Sequence, residues 1–521
     1  MRRFRGKWAR GIRAGWIVAL AAMPVLAPAA VLRVALNADI LSTDHGVLRD
    51  ENTDAVLLHV AEGLVAPRHD GSIAPMLAQS WTVTHDGRTY TFALRHGVTF
   101  HNGAPMTSAD VVWSLRRYLS PATHWRCLGE FTEHGIARVV SIDAPDAYTV
   151  RLTLDRPAPL FLTTLARPDC GQTAILQRAS VGPDGRWRAP IGTGPFELAA
   201  WKRNQYIDLV RFPAYQAAVG PADGDAGAKH ALVDEVRFEI IPDDSAAVAA
   251  LLRGSLDILD GIDAAELSLI RRDPRLRIEM SPTLDFYAVL FQTRDPVLKD
   301  PCLRRAIALT IDTAGLTKAI TWGTAAPDDS AVPVTSLYHG PVEARLRAPD
   351  VPLARKLLAT CGYRGEPITL MANHRYPMMF DAAVLVQAMA AQAGIRLTID
   401  TMDWASQLSH YLDGSYQAMV FAFSSKLDPS LNFLQLIGGK GDDPRKVWDT
   451  ARARALLAAS MSTDDRIVRQ QYFDRLTTAL LEDVPAIVLF NSTRIAAVRP
   501  NVTGFREWPA GEPRYWNVAL H

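Results

Sequence analysis

The histidines and the adjacent carboxylates are the first residues in this chain whose types suggest chemistry. The thirteen histidines are scattered, and the nearest pair, His96 and His101, lies five positions apart. None of them has the spacing of a zinc ribbon or of two ligands on one helix face. Asp243 and Asp244 are neighbours beside a predicted loop, where carboxylates are usually solvated rather than arranged for acid–base work. We therefore predict no catalytic residue, no metal site and no cofactor.

The glycine-rich segment Gly192–Phe196 resembles a phosphate-binding loop but lacks the necessary features. It has neither a third glycine nor a following helix, and Pro195 removes a backbone N–H that a phosphate would need. We predict a tight structural turn instead. The sequence also lacks the G-x-S-x-G, H-E-x-x-H and Gly-Lys-Ser/Thr motifs of common enzyme classes. Enzyme chemistry therefore has no local support.

Hydrophobic periodicity indicates which elements must position any site. The first half mixes strands with a few helices, and the Asp86-Gly87 turn predicts a hairpin. Strands are predicted over 31–36, 81–83, 89–94, 147–154 and 234–241. Helices are predicted over 54–64 and 244–253, and a third helix is predicted to begin at a cap, Thr107 or Ser108, and to run through Tyr118.

From Ser281 the pattern changes to alternating strands and helices, which is typical of an α/β protein. We predict α/β as the fold class and expect the last long strand to return to the first half of the molecule. The predicted strands are 286–291, 368–372, 395–401 and 487–491, and the helices are 303–310, 354–360 and 382–393.

The N-terminus has the pattern of a secretory signal peptide. Six basic residues precede Ala14, and the nineteen residues Ala14–Leu32 carry no charge. Small residues at Ala27 and Ala29 suit signal peptidase, which predicts cleavage before Ala30. An uncleaved anchor is the alternative, since nineteen residues can just span a bilayer. Pro24 and Pro28 would disturb such a helix, so we favour cleavage.

Composition excludes several other classes of protein. The 521 residues have 48% hydrophobic content and a mean hydropathy of +0.01, which is too polar for a multi-span membrane protein. Without the segment 1–29, 50 basic and 55 acidic residues remain, a net charge of −5. With no basic surplus or stripe, nucleic-acid binding is not expected. Four cysteines in an exported chain predict disulfides, with three possible connectivities.

One block of motifs resembles a known family. The segments Ile73–Trp81, Asp86–Leu94, Gly97–Gly103 and Thr107–Val112 are similar to the periplasmic substrate-binding proteins of ABC importers that carry peptides, dipeptides or nickel. These are the solute-binding proteins of family 5. Further segments agree in order along nearly the whole mature chain: Glu62–Leu64, Ile191–Phe196, Ile241–Asp243, Arg304–Asp312 and Val502–Phe505.

The resemblance implies a two-lobed periplasmic-binding-protein fold of class II type. Residues 1–29 would be the signal peptide, 30–281 lobe one with an extra subdomain inserted at about 65–185, 282–489 lobe two, and 490–521 a C-terminal return to lobe one. A monomer in the periplasm would close on a small solute and then dock on a permease of the inner membrane. The implied role is capture rather than catalysis.

The ligand class depends on one departure from the family pattern. Peptide-binding relatives carry an Asp three residues before an Asp-Pro pair, and this carboxylate holds the peptide α-ammonium. Here Asp428 precedes Pro429, but Ser425 occupies the anchor position and Lys426 adds a positive charge. Ordinary peptides are therefore not expected to bind well. Lys426 and Arg375 are candidates to hold an anionic or polyhydroxylated ligand instead, with a solvated loop charge as the alternative for Lys426.

Three further residues are candidate ligand contacts. Arg375 lies within two positions of a carboxylate-binding Arg of dipeptide-binding relatives, and Tyr376 follows it. Trp404 follows a predicted strand and would stack on the ligand, or else belong to the core. Together with Ser425, Lys426 and Asp428 these form the predicted site.

The family resemblance also suggests how the cysteines pair. It places Cys127 and Cys170 in the inserted subdomain and Cys302 and Cys361 in lobe two. Pairing within these units leaves the hinge free, so we predict Cys127–Cys170 and Cys302–Cys361. Buried free thiols are the alternative.

Two other functions remain open on the sequence alone. An exported hydrolase on the same scaffold would need a nucleophile and a base within reach, and the motifs offer none. A ligand sensor that signals to a membrane receptor would look the same in sequence, because its docking surface has no motif. Adjacent permease and ATPase genes would favour import.

Overall fold

The computed structural model describes residues 29–133, 135–264, 266–441 and 443–521. Almost all of the predicted signal peptide therefore lies outside the described residues. Two large sheets define two lobes: lobe one is built around a seven-stranded sheet and lobe two around a five-stranded sheet. Among the described residues, no helix combines the length and the apolar character needed to cross a bilayer.

The sheet of lobe one is mixed and draws on distant parts of the chain. Its order is β12-β18-β11-β1-β10-β9-β8, and the central β1 pairs in parallel with β10 and β11. The alternation of VLRVAL places Leu32 and Val34 in the core, as the periodicity predicted. The strands are β1 (Val31–Leu36), β8 (Phe196–Lys202), β9 (Tyr206–Arg211), β10 (Glu235–Ile240), β11 (Ile258–Leu259), β12 (Arg277–Pro282) and β18 (Thr493–Val498).

A separate four-stranded antiparallel sheet lies between β1 and β8 in sequence. Its order is β4-β5-β7-β6, and the predicted hairpin turn at Asp86-Gly87 joins β4 to β5. The helix that follows is capped by Thr107, one of the two predicted caps, and it begins with a capping box in which the Asp110 carboxylate accepts from the Thr107 backbone N–H at 2.9 Å. The strands are β4 (Ala78–Val83), β5 (Thr89–Leu94), β6 (Val139–Asp146) and β7 (Thr149–Leu154), next to a small hairpin of β2 (Val65–Pro67) and β3 (Ile73–Pro75).

The sheet of lobe two has the order β15-β14-β16-β13-β17. Because β14 pairs in parallel with both β15 and β16, the carboxyl ends of these three strands meet at one edge. All six residues of β13, FYAVLF, are buried, as expected for a strand covered on both faces. The strands are β13 (Phe286–Phe291), β14 (Ile368–Ala372), β15 (Leu397–Thr401), β16 (Ala418–Phe423) and β17 (Ala486–Phe490), and a short pair, β19 (Val502–Thr503) and β20 (Ala519–Leu520), ends the chain.

The helices pack against these sheets. They are α1 (Glu51–Leu57), α2 (Ser108–Tyr118), α3 (Phe161–Leu165), α4 (Asp244–Arg253), α5 (Leu267–Ile270), α6 (Pro301–Ala308), α7 (Thr313–Ile320), α8 (Val351–Cys361), α9 (Pro377–Ala391), α10 (Trp404–Asp413), α11 (Pro429–Leu436), α12 (Ala451–Ser460) and α13 (Arg466–Asp483). The predicted helix over 244–253 is α4, capped by Asp243 and ended by Gly254 in the left-handed conformation.

The helix predicted over 54–64 is wrong at both ends, because α1 spans Glu51–Leu57. The carbonyl groups of residues after Leu57 accept hydrogen bonds from a distant segment. The backbone N–H of Gly194 donates to the Val60 carbonyl oxygen, and that of Phe196 donates to the His59 carbonyl oxygen. A Cβ at Gly194 would lie 2.3 Å from the His59 carbonyl oxygen, so this close approach requires glycine. The Gly192–Phe196 segment is therefore a structural turn that packs against the end of α1.

The prediction that the strand over 487–491 returns to the first lobe is also wrong. The observed β17 pairs with β13 inside lobe two, and the return strand is β18, which pairs with β12 and β11. The two crossovers between lobes are hydrogen-bonded to each other, since Ser492 N–H donates to the Asp285 carboxylate at 2.8 Å and Thr283 N–H donates to the Ser492 carbonyl at 2.9 Å.

Each disulfide lies within one lobe. Cys127 is joined to Cys170 in lobe one and Cys302 to Cys361 in lobe two, the two pairings expected from the sequence. The Cys127–Cys170 bridge lies in the hydrophobic core of the four-stranded sheet. Neither bridge links the lobes, so neither restricts their relative movement.

Candidate functional site

The candidate contacts lie in three loops at one edge of the lobe-two sheet. The loops follow the carboxyl ends of β14, β15 and β16, and ligands of open α/β sheets commonly bind outside such ends. Arg375 and Tyr376 follow β14, Trp404 follows β15, and Ser425–Asp428 follow β16. The topology thus places all six predicted residues at a single edge, although they divide into two groups.

Lys426 is buried, and the alternative of a solvated loop charge is wrong. Its side chain is 8% exposed, and its Nζ donates to the Ser424 hydroxyl at 2.9 Å. The Ser425 carbonyl oxygen lies at 3.5 Å, near the limit of a hydrogen bond. An ammonium carries three donors, so this buried group is only partly satisfied by its own loop.

Lys426 faces lobe one across the boundary between the lobes. Its Nζ lies 3.9 Å from a carboxylate oxygen of Asp169. Burial lowers the pKa of Lys426 to about 8, and the Asp169 carboxylate opposes that shift. The guanidinium groups of Arg167, Arg126 and Arg49 add to the lowering. The lysine is therefore a buried cation in predominantly cationic surroundings.

Asp169 is held firmly by its neighbours in lobe one. Arg167 makes a two-pronged contact with it, at 2.9 Å from Nε to Oδ1 and 2.7 Å from Nη2 to Oδ2. Arg167 also donates to Glu130 at 3.0 Å. Burial alone would raise the pKa of Asp169, but the charges of Arg167 and Lys426 hold it below its usual range. Asp169 is therefore a carboxylate at neutral pH.

The charges of two more arginines of lobe one act on the lysine. Arg126 is exposed, whereas Arg49 pairs with the buried Asp54. Burial raises the pKa of Asp54 to about 7, against the effect of Arg49. The sequence analysis did not identify Asp169, Arg167, Arg126, Arg49 or Asp54. A usable signal was the position of Arg126 and Asp169, each of which directly precedes a cysteine of the predicted Cys127–Cys170 pair.

Asp428 has a structural role in the fold. It caps α11 by accepting from the Ser430 N–H at 2.9 Å, and it pairs with Arg469 at 2.7 Å, where both side chains are 7% exposed. Arg469 in turn donates to the Tyr338 hydroxyl at 3.0 Å. Both contacts use Oδ1 of the Asp428 carboxylate and lie within lobe two.

A cavity between the lobes lies beside this pair. Its volume is about 150 Å³, and it is partly open to solvent. Lobe one contributes the hairpin turn between β2 and β3 together with Trp508, and lobe two contributes the loop around Tyr338. The polar lining residues are His69, Asp70, Ser72, Thr163, Thr335, Ser336, Tyr338, Asp428 and Arg469.

The second group of predicted contacts is aromatic. Tyr376 and Trp404 meet edge to face with ring centroids 5.0 Å apart, and Trp404 stacks on Phe421 at 5.6 Å. Trp404 is partly buried against both cores of lobe two, so it is a core residue with an accessible side. Arg375 is exposed, with its guanidinium 6.0 Å from the Tyr376 ring.

Comparison with protein families gives one match over most of the chain. Residues 72–445 match the model described as bacterial extracellular solute-binding proteins, family 5 middle. Among curated relatives, the probable ABC transporter periplasmic-binding protein SapA of Escherichia coli K12 is 25% identical over 86% of this chain and 84% of its own length. The glutathione-binding protein GsiB of Salmonella typhimurium is 25% identical over 96% of both chains.

Solved structures of similar proteins share the fold. The binding protein AgaA of A. tumefaciens R10, in complex with agropinic acid, is 27% identical with a TM-score of 0.75, covering 94% of this chain and 99% of its own. NikA of Brucella suis, in complex with Fe(III)-EDTA, has a TM-score of 0.81 at 21% identity, covering 94% of this chain and all of its own. The latter likeness is one of fold.

Proposed function

The chain belongs to the bacterial extracellular solute-binding proteins of family 5, and on that premise we propose which kind of solute it carries. It is a two-lobed binding protein that captures a solute and delivers it to the permease of an ABC transporter. We propose that the solute bears at least one anionic group, which binds at Lys426 between the lobes.

The observation that supports this proposal is the incomplete environment of the Lys426 ammonium. The side chain is buried, yet it has one short hydrogen bond within its own loop and a carboxylate only at 3.9 Å. A buried cation is stable when a well-placed anion and further hydrogen bonds satisfy it. A carboxylate of the solute would supply that missing partner. The exposed Arg126 lies nearby in lobe one and is available to the same anion.

Unmodified peptides fit this loop poorly. An α-ammonium placed beside Ser425 would meet a hydroxyl rather than a carboxylate, and it would lie next to the like charge of Lys426. The names of two relatives are consistent with a modified or acidic solute, since one binds glutathione and the other agropinic acid. We propose that Tyr376 and Trp404 form an apolar wall of the same site, with Arg375 at its rim.

Mass spectrometry of the ligand released from protein purified from the periplasm is the first test. Calorimetry then compares agropinic acid, glutathione and an unmodified dipeptide as probes. We expect a bound solute with a carboxylate or phosphate. Lys426→Met should lower its affinity about 10- to 150-fold, because a hydrogen bond to a charged group contributes roughly 1.5–3 kcal/mol.

Lys318→Met is the matched control, because Lys318 is an exposed lysine of α7 in the same lobe. Its affinity should equal that of the wild type. Sub-micromolar binding of the unmodified dipeptide, or an unchanged affinity in Lys426→Met, would overturn the proposal.

We further propose the remaining features from the sequence and the family. The strands that make up each sheet support the following division of the chain. Lobe one spans 30–281 with an inserted subdomain at about 65–185, lobe two spans 282–489, and residues 490–521 return to lobe one. Processing before Ala30, a monomeric state and the absence of catalytic activity complete the proposal. N-terminal sequencing of periplasmic protein tests the processing, and an intact N-terminus there would contradict it.

A further inference from the structure

Asp169 and Lys426 belong to different lobes, and each can pair with a group of opposite charge. Asp169 is fixed by the two contacts from Arg167 and by the neighbouring Cys127–Cys170 bridge. Lys426 reaches it from the loop after β16. The separation of 3.9 Å is longer than a direct hydrogen bond of 2.7–3.2 Å, so the pair is in ionic contact without a tight bond.

We propose that Asp169 is an internal competitor for the anion site: in the ligand-free protein its carboxylate holds Lys426 across the lobe boundary, and the anion of the solute must displace that contact. This inference rests on the proposed function and adds a residue that sets specificity. Among the residues that the structure describes, Asp169 is the carboxylate in ionic contact with Lys426.

The geometry supports competition rather than simple structural pairing. A structural ion pair in a buried site usually has short, multiple hydrogen bonds, as Arg167 and Asp169 have. The contact of Lys426 with Asp169 is long and single, and it joins residues of different lobes. A solute anion that approaches Lys426 therefore meets both an attractive ammonium and a repulsive carboxylate.

This arrangement favours solutes with strongly localised or multiple negative charges. A weak acceptor such as a hydroxyl does not offset the loss of the Asp169 contact, whereas a carboxylate or phosphate does. The same residue thus distinguishes an anionic solute from a polyhydroxylated one. Asp169 also partly neutralises the buried charge of Lys426. Closure of the lobes without a solute is therefore less unfavourable than it would be with an unpaired lysine.

Asp169→Asn tests the inference with two measurements. The first uses spin labels at Val140→Cys and Leu412→Cys, exposed positions in lobe one and lobe two, and measures the distance between lobes in ligand-free protein. We expect Asp169→Asn to shift the distribution toward the open form. The second is calorimetry with agropinic acid, for which affinity should rise about three- to hundredfold, as expected for removing one like charge at about 6 Å.

Asp184→Asn is the matched control, because Asp184 is a half-exposed aspartate of lobe one that pairs locally with Arg188. It should change neither measurement. In Lys426→Met, adding Asp169→Asn should have no further effect on the distance between lobes. An unchanged distance in Asp169→Asn refutes the inference even if Lys426 binds an anion. A shifted distance with no binding of any anionic probe refutes the proposed function while the ion-pair contact stands.

Discussion

Replacing Arg469 by Met should destabilise lobe two strongly. Its guanidinium is buried and donates to Asp428 at 2.7 Å, Ser430 at 3.0 Å, the Ser460 carbonyl at 2.9 Å and the Tyr338 hydroxyl at 3.0 Å. Met fills much of the same volume but leaves the Asp428 carboxylate buried without its cation. Breaking such a pair from one side typically costs about 3–5 kcal/mol. For a unit the size of lobe two this predicts a melting temperature lower by roughly 6–20 °C.

Calorimetric melting and urea unfolding measure this change. Arg466→Met is the control, since Arg466 is an exposed residue one turn earlier on α13 and should cost less than about 0.5 kcal/mol. Adding Asp428→Asn to Arg469→Met removes the uncompensated charge and keeps a good helix cap, so it should restore part of the loss. A loss below about 1 kcal/mol in Arg469→Met would refute the reasoning, because it would mean that the Asp428 charge is solvated or neutralised in another way.

Three further outcomes follow from the structure. Burial lowers the pKa of His59 to about 3, and its Nε2 accepts from the Tyr515 N–H. The stability that the neutral imidazole contributes is therefore full above pH 6.5 and is lost as the pH falls toward 3. His59→Asn should flatten this dependence of the unfolding free energy on pH, measured by urea titrations. Replacing Cys127 and Cys170 by Ser should cost about 4 kcal/mol in the chain-entropy model, measured by melting against wild type. Ser425→Asp should raise dipeptide affinity in calorimetry if the missing carboxylate limits binding, and unchanged affinity would mean that the pocket differs more widely.

Local pattern was sufficient wherever a single segment determines its own structure. The strands over 31–36, 286–291 and 368–372 match their predicted bounds, because continuous or alternating apolar runs leave one way to bury them. The helix over 244–253 also matches, since its Asp243 cap and terminal Gly254 are encoded locally.

Local pattern failed where a distant segment changes the outcome. The apolar run after Leu57 is helical in periodicity, but its carbonyls bond to the turn at Gly194, which no window around α1 contains. The apolar composition of the strand before Asn491 would suit a strand of either lobe. The strand pairs with β13 in lobe two, and the chain crosses to lobe one only afterwards, at Ser492.

The candidate site shows the same limit. The sequence placed Lys426 beside the missing acidic anchor, but its ionic partner Asp169 lies in another lobe and has no motif of its own. The pairing of Asp428 with Arg469 could not be predicted either, because Arg469 lies on a later helix, and the role of Asp428 as a ligand contact stays a prediction. Charge pairs between distant segments follow from the fold, and periodicity carries no information about them.

Under the proposed function, the charge of Lys426 would connect solute recognition to closure of the lobes. Desolvation is the main cause of its lowered pKa, so burying the charged lysine in the closed form has a free-energy cost. A solute without an anion leaves that cost in place, whereas an anionic solute offsets it only when both lobes surround the site. Since only a difference in affinity between open and closed forms can drive closure, the solute anion proposed above would favour the closed form through its contact with the buried lysine.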